Sequence, residues 1–271
     1  MVFISEPLTR TVPVETPDIG ELRSRIRRSG RHTVGVEEEF ILVDGAGMPT
    51  AEAARIARRV EHDDRLRTEL PDCQIELATP PRSSLELIER DLRRGRAAAA
   101  GWCDGVAIPI SAAVHPFVAE TEVAGLRAAD VGRRYGWLAR SQLLGALQVH
   151  VAVGDPDVIV PVHDELRSYL PLITGLAAAA PFREGRDLGM ASVRPFISSL
   201  LPRQGIPPAF ATLDAYVDAL SWLVGSGVAD DPTEWWWDLR IHPTYGTLEV
   251  RVADAQPTTR PDPCAHSIAA V

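Results

Sequence analysis

The sequence predicts an α+β fold, a mainly antiparallel sheet with helices packed on one side. Three observations carry that expectation. Several short segments alternate apolar and polar residues, which gives each one core face and one polar face. Helical segments lie between them without strict strand–helix alternation, which argues against a doubly wound parallel sheet. The chain has 271 residues, 45% hydrophobic and 24% charged, enough for one large domain with a buried core.

Residues 1–31 carry Pro, Arg and Ser without a sustained period and read as a loose N-terminal arm, with a short helix over Ile19–Arg28. Residues 33–44 read as a strand stopped by Asp44-Gly45-Ala46-Gly47. Residues 51–69 suit a helix, and 73–79 a short alternating strand stopped by Pro80-Pro81. Ser83-Ser84-Leu85-Glu86 has capping-box spacing and opens a long helix toward Ala100. Residues 105–114 read as a buried strand, 125–144 as mostly helical and 147–153 as an alternating strand. Residues 156–180 are helical in their second half. Residues 183–208, rich in Gly and Pro, read as a long loop, and 210–224 as an amphipathic helix. Residues 235–242 and 247–254 are strands joined by a Pro243-Thr244-Tyr245-Gly246 turn. Residues 255–271 lack any period and read as a disordered tail. A single catalytic domain then covers 32–254.

Charge and composition exclude several function classes. The 37 acidic residues outnumber the 28 basic ones, for a net charge of -9. Such a chain has no general attraction for nucleic acid or an anionic membrane. Every basic residue is arginine. Without lysine there is no Walker-type P-loop and no lysine Schiff base. Cys73, Cys103 and Cys264 are odd in number and lie far apart, so neither a disulfide framework nor a zinc–thiolate site is expected, and the protein is expected in the cytoplasm. Residues 1–10 do not read as a signal peptide, and the apolar stretches 106–114 and 172–180 are too short to span a bilayer.

The polar strand faces hold the chemistry. Glu37 and Glu39 share one face of their strand, as do Gln74 and Glu76, Gln148 and His150, and Glu249 and Arg251; Asp238, Arg240 and His242 share another. Any one of these residues alone would more often be a solvated surface group. Together they form a carboxylate-rich set with a histidine and arginines. Clustered carboxylates raise one another's pKa unless a cation neutralises them. Oxygen ligands with one imidazole suit Mg²⁺ or Mn²⁺, and arginines suit phosphate. Acids, metal and arginine together are the equipment of phosphoryl transfer.

Seven motifs occur in one order: Gly35-Val36-Glu37-Glu38-Glu39, Glu76-Leu77-Ala78-Thr79, His115-Pro116-Phe117, Gln148-Val149-His150-Val151, Ala191-Ser192-Val193-Arg194-Pro195, Trp237-Asp238-Leu239-Arg240 and Gly246-Thr247-Leu248-Glu249-Val250-Arg251. In these the chain resembles the glutamate–cysteine ligase type 2 family of carboxylate–amine ligases, over residues 33–254. The resemblance implies a glutamine-synthetase-like catalytic domain with a curved sheet. It implies joining of glutamate to cysteine with ATP, through an acyl phosphate, to give γ-glutamylcysteine, ADP and phosphate. ATP and Mg²⁺ or Mn²⁺ are the implied cofactors. Glu37, Glu39, Glu76, His150 and Glu249 are the implied metal ligands, with Glu69 as a further one; Arg194, Arg240 and Arg251 are the implied binders of phosphates or the substrate carboxylate.

The chain departs from that family in two respects. Gln148-Val149-His150 stands where many relatives have His-x-His, and the long C-terminal helical region of relatives is expected to be lacking after Asp254. Two other functions therefore stay open: a metal-dependent hydrolase on the same carboxylate and histidine cluster, or a truncated, non-catalytic nucleotide-binding homologue. The expected partners are amino acids and ATP, with no nucleic acid and no membrane; a homo-oligomer stays open. His115 is expected in a packed turn, His242 as readily in solvent as in the site, and Arg93, Arg94 and Arg96 on a solvated helix face.

Overall fold

The structure is a computed structural model and describes residues 16–60, 63–123 and 126–258. Seven strands form the main sheet: β1 (Val34–Val43), β2 (Leu66–Thr68), β3 (Gln74–Ala78), β4 (Ile108–Ile110), β5 (Ala146–Val151), β8 (Leu239–Ile241) and β9 (Leu248–Asp254). Their order is β2-β3-β1-β5-β9-β8, with β4 also on β1, and every pairing is antiparallel. Two short strands, β6 (Phe182–Arg183) and β7 (Arg186–Asp187), form a separate hairpin. The architecture is α+β, with a mainly antiparallel sheet.

Helices cover the apolar face of the main sheet. Phe40, Leu42, Ile75 and Leu77 pack with α2 (Ala53–Arg59) and α3 (Leu85–Cys103). Ile241 and Leu248 pack with α1 (Ile19–Arg28), α6 (Ile159–Leu166) and α9 (Leu213–Gly225). Leu239, Val250 and Val252 meet Leu170 and Ile173 of α7 (Leu170–Ala177). The remaining helices are α4 (Leu126–Tyr135), α5 (Trp137–Arg140) and α8 (Arg194–Ser198). No helix among the described residues is long and apolar enough to cross a membrane.

Several elements differ from expectation. The helix over Ile19–Arg28 belongs to the core rather than to a loose arm. Asp18 caps it by accepting the Glu21 N–H at 2.7 Å, and Leu22 and Ile26 are fully buried. Residues 1–15 of that arm lie outside the described residues. The helix expected over 51–69 stops at Arg59. Asp63 accepts the Arg65 N–H in a turn, and the chain then pairs with β3 as edge strand β2. Burial of Leu66 under the helices and pairing with β3 outweigh local helix propensity. The strand expected over 105–114 shortens to Ile108–Ile110, and the expected loop over 183–208 contains α8.

The expected tail does not begin directly after Asp254. Ala255 is fully buried and donates its N–H to Gly145 O at 3.1 Å, and Gln256 donates to Ala177 O at 2.8 Å. Gly145 allows this approach and that of Ala112, because a Cβ there would sit 3.2 Å from Ala255 Cβ and 2.3 Å from Ala112 O. Residues 259–271, Cys264 among them, lie outside the described residues.

Candidate active site

Strand register assembles the site on the sheet face opposite the helices. Glu39 lies across from Glu76, Glu76 from Arg67, Glu37 from Gln148, His150 from Glu249, and Glu249 from Arg240. The register of β5 on β9 shifts between Leu147 and Val149, so Arg251 and Val252 together face the single Gln148. Such a bulge re-aims a side chain. Here Arg251 reaches both Gln148 Oε1 and Glu249 Oε1.

The six expected metal residues fall into two groups. Glu37, His150 and Glu249 form one; Glu39, Glu69 and Glu76 form the other. Within each group one ligand atom per residue lies within 4.8 Å of the others. In the first group burial pushes the Glu37 carboxyl up, but His150 and Arg67 outweigh it and hold the group down at about 2. Burial likewise opposes Glu249, yet Arg240 and Arg251 hold it well below the usual carboxylate range. In the second group burial dominates. It drives Glu69 up to about 8, aided by the charge on Glu39, and raises Glu76 with the help of Glu37 and Glu69. Burial also raises Glu39, against the Ala146 N–H and Arg251.

The donor set fits divalent cations. His150 Nδ1 is tied to Thr247 Oγ1 at 2.9 Å, whereas its buried Nε2 makes no hydrogen bond and lies 3.5 Å from Glu37 Oε2. A histidine anchored through one ring nitrogen and open at the other has the arrangement of a metal ligand. Buried Glu39 and Glu76 with half-buried Glu69, all with raised pKa values, are a second place where a cation would relieve repulsion.

The three expected arginines occupy different situations. Arg240 is buried, forks onto Glu249, and gives Nη1 to Thr233 O at 2.7 Å and Trp235 O at 3.2 Å. Arg194, at the start of α8, bonds Asp254 at 2.8 Å and the carbonyls of Arg251 and Ala253 at 3.1 Å. Both tie strands and loops together. Arg251 keeps 23% of its side chain exposed, against 8% for Arg240 and 9% for Arg194. It is the best placed of the three to meet a ligand.

Sequence reasoning missed Arg67, gave Gln74 its face but no role, and left the placement of His242 open. Arg67 Nη1 donates to Glu37 Oε1 at 2.9 Å and to Glu76 Oε1 at 3.1 Å. Reading residues 66–69 as a strand would have placed Arg67 and Glu69 on one face, but the Ala51–Glu69 stretch reads as a helix. Gln74 donates to Glu39 Oε2 at 3.1 Å. Gln148, the amide at the first position of the Gln-x-His motif, donates to Glu39 Oε1 at 2.7 Å and so belongs to the site's framework. His242 is buried and stacks on Tyr245, with ring centroids 4.3 Å apart and its centroid 5.6 Å from that of His150. Its Nδ1 accepts the N–H groups of Thr244 and Tyr245.

Other expectations resolve as packing. His115 Nδ1 accepts two backbone N–H groups in a turn, so its Nε2 donates to Gly47 O at 2.9 Å. Arg96 is not merely solvated: it forks onto the buried Glu38 on the helix face of β1. Among the described residues Cys73 and Cys103 are buried free thiols.

The model of glutamate–cysteine ligase family 2 matches residues 33–270, nearly the whole chain. The chain belongs to glutamate–cysteine ligase family 2. A Rubrobacter xylanophilus protein provisionally named glutamate–cysteine ligase 2-3 is 38% identical over 244 residues, 87% of this chain and 67% of that one. A glutamate–cysteine ligase of Natronomonas pharaonis is 35% identical over 250 residues, 88% of this chain and 67% of that one. A Ruegeria pomeroyi relative, provisionally named glutamate–cysteine ligase 2, is 33% identical over 83% of this chain but 60% of its own. The chain thus spans about 60–67% of the length of these curated family members. Two solved structures share the fold. The bifunctional glutathione synthetase of Pasteurella multocida has a TM-score of 0.65 at 20% identity, over 87% of this chain and 36% of that one. The glutamate–cysteine ligase of Francisella tularensis, solved in complex with AMP, has a TM-score of 0.61 at 13% identity, over 82% and 61%. At those identities the likeness shows the fold alone.

Proposed function

We propose that this family member is an ATP-dependent carboxylate–amine ligase that joins the γ-carboxylate of L-glutamate to the amino group of L-cysteine. The observation that carries this reading is the pairing of two cation-ligand groups on one sheet face, with Arg251 beside both. A carboxylate is a poor electrophile because it is already negative. In the reaction a γ-carboxylate oxygen attacks the γ-phosphorus of ATP, the bond to ADP breaks, and an acyl phosphate forms. The cysteine nitrogen then attacks the acyl carbon, phosphate leaves and the amine loses a proton.

Glu37, His150 and Glu249 would hold one divalent cation, and Glu39, Glu69 and Glu76 another. Such cations, Mg²⁺ or Mn²⁺, neutralise the polyphosphate and the charge that develops in phosphoryl transfer. Burial raises the carboxyls of Glu39, Glu69 and Glu76, so a cation there would displace protons; with Arg67, Arg240 and Arg251, two dications would make the face net positive and receptive to ATP. Arg240 holds Glu249 in place. Gln148 orients Glu39 and Arg251 together. Arg251 offers its remaining donors to the transferring phosphoryl group, preorganised by its bonds to Glu249 and Gln148.

A screen of amino acid pairs for ADP release with Mg²⁺ or Mn²⁺ tests the reading. The expected result is ADP formed in step with γ-glutamylcysteine, and only when both amino acids are present. No ADP release with any pair, together with metal-dependent cleavage of amide or ester substrates, would refute ligation and favour a hydrolase.

A further inference from the structure

Arg67 lies on edge strand β2, and its guanidinium reaches across the polar face of the sheet. Through one nitrogen, Nη1, it contacts Glu37 of one cation group and Glu76 of the other, while Nη2 donates to the Tyr245 hydroxyl at 2.7 Å. A guanidinium and a divalent cation need the same carboxylate lone pairs, so they oppose each other at both residues. Exposure separates Arg67 from Arg194, Arg240 and Arg251. Its side chain is 38% exposed, whereas the two carboxylates it joins are 12% and 5% exposed. Arg240, by contrast, is locked by backbone carbonyls and cannot leave Glu249 without stranding buried donors.

We propose that Arg67 is the exchangeable counter-cation of the site: it bridges Glu37 and Glu76 and, when divalent cations take those carboxylates, passes its donors to a phosphate of the bound nucleotide. A planar fork suits both partners, first carboxylate and then phosphate. The edge position of β2 gives the side chain room to move between them. The nucleotide in this inference rests on the ligase reading; the competition with cations rests on the geometry of Arg67.

Calorimetry with Mn²⁺, and with ADP at saturating Mn²⁺, tests it on the folded parent, Arg67→Met and Arg67→Lys. Removing a positive charge beside a dication should tighten Mn²⁺ binding by Arg67→Met about tenfold. Losing a charge-assisted contact to phosphate should weaken ADP about tenfold. Arg67→Lys, which keeps the charge without the fork, should bind Mn²⁺ like the parent and ADP more weakly. If Arg67→Met binds Mn²⁺ equally or less tightly, Arg67 is a fixed spacer that helps build the site, and the inference is overturned. Unchanged ADP affinity in Arg67→Met also overturns it. Should Arg67→Met fail to fold, loss of Mn²⁺ binding in Arg67→Lys overturns it by the same reasoning. A parent that takes up no Mn²⁺ would instead bring down the ligase reading, and this inference with it.

Discussion

Replacing Arg251 and Arg240 in parallel separates chemistry from architecture on the site face. Arg251→Lys keeps the charge beside Glu249 but loses the planar guanidinium, whose Nη1 donates to both Glu249 and Gln148 and so holds the other donors in place. Removing one preorganised donor from a site of developing charge costs roughly 2.7–4 kcal/mol of barrier, a loss of about a hundred- to a thousandfold in kcat. The fold should notice little, because Arg251 is partly exposed and Glu249 keeps Arg240. Arg240→Met should behave oppositely in stability. Breaking a buried ion pair costs about 3–5 kcal/mol, and because Glu249 retains Arg251 the low end, about 3 kcal/mol, is expected. For a domain of this size that corresponds to a fall in Tm of roughly 6–12 °C. The assay is ADP release by purified variants that pass a circular dichroism melt. If Arg251→Lys keeps activity within about threefold of the parent, well short of the expected loss, Arg251 does not contact the reacting phosphoryl group. If Arg240→Met melts like the parent, the structural assignment of Arg240 is wrong.

Other perturbations follow from the same geometry. Glu39→Gln should abolish ligation and lower Tm by several degrees, since the amide loses the charge and its NH2 faces a donor of Gln74, Ala146 or Gln148 in either orientation; near-normal turnover at ordinary metal levels would refute its place in the cation group. ATP binding measured by calorimetry should vanish in excess EDTA, because the ionised Glu37 and Glu249 would face the phosphates with no cation between them; equal affinity with and without EDTA contradicts this. Gly246→Ala should destabilise by about 2–4 kcal/mol, adding overpacking to left-handed strain, because Gly246 has φ +66° and a Cβ there would lie 2.5 Å from the α1 backbone at Arg25 and Ile26; an unchanged thermal melt would argue against that contact. His163 is fully buried, and burial lowers its pKa below 6.5. The fold therefore favours its neutral form, so its contribution to stability is complete above pH 6.5 and is lost as pH falls below that value. His163→Gln should flatten the fall in Tm between pH 7 and pH 5, and an unaltered slope would show that another group causes it.

Legibility in the sequence followed the range of the interactions involved. Period 2 made one polar face visible on each of β1, β3, β5 and β9, because alternation is local to a strand. Glu37, Glu39, Glu76, His150, Glu249 and Arg251 were readable for that reason. Arg67 was not, because β2 is three residues long and exists through its pairing with β3 and the burial of Leu66. For α1 the helix itself was readable, but its place in the core was not. Leu22 and Ile26 are too few to announce a core helix, and their burial depends on α9 and on the Gly246 turn.

The amino-acid sequence by itself determined the α+β class, the inventory of acids, histidine and arginines, and the motifs of the ligase family, since each is written in neighbouring residues. Tertiary structure alone decided how that inventory divides. Register split six candidate ligands into two groups of three, and the bulge in β9 turned Arg251 onto Gln148 while Arg194 and Arg240 became ties between strands and loops. Part of that register joins residues more than a hundred positions apart, as Glu37 with Gln148 and Glu39 with the Ala146 N–H. Local propensity carries no information about such pairs, so which arginine faces a ligand and which carboxylate holds a proton are settled only when the sheet closes.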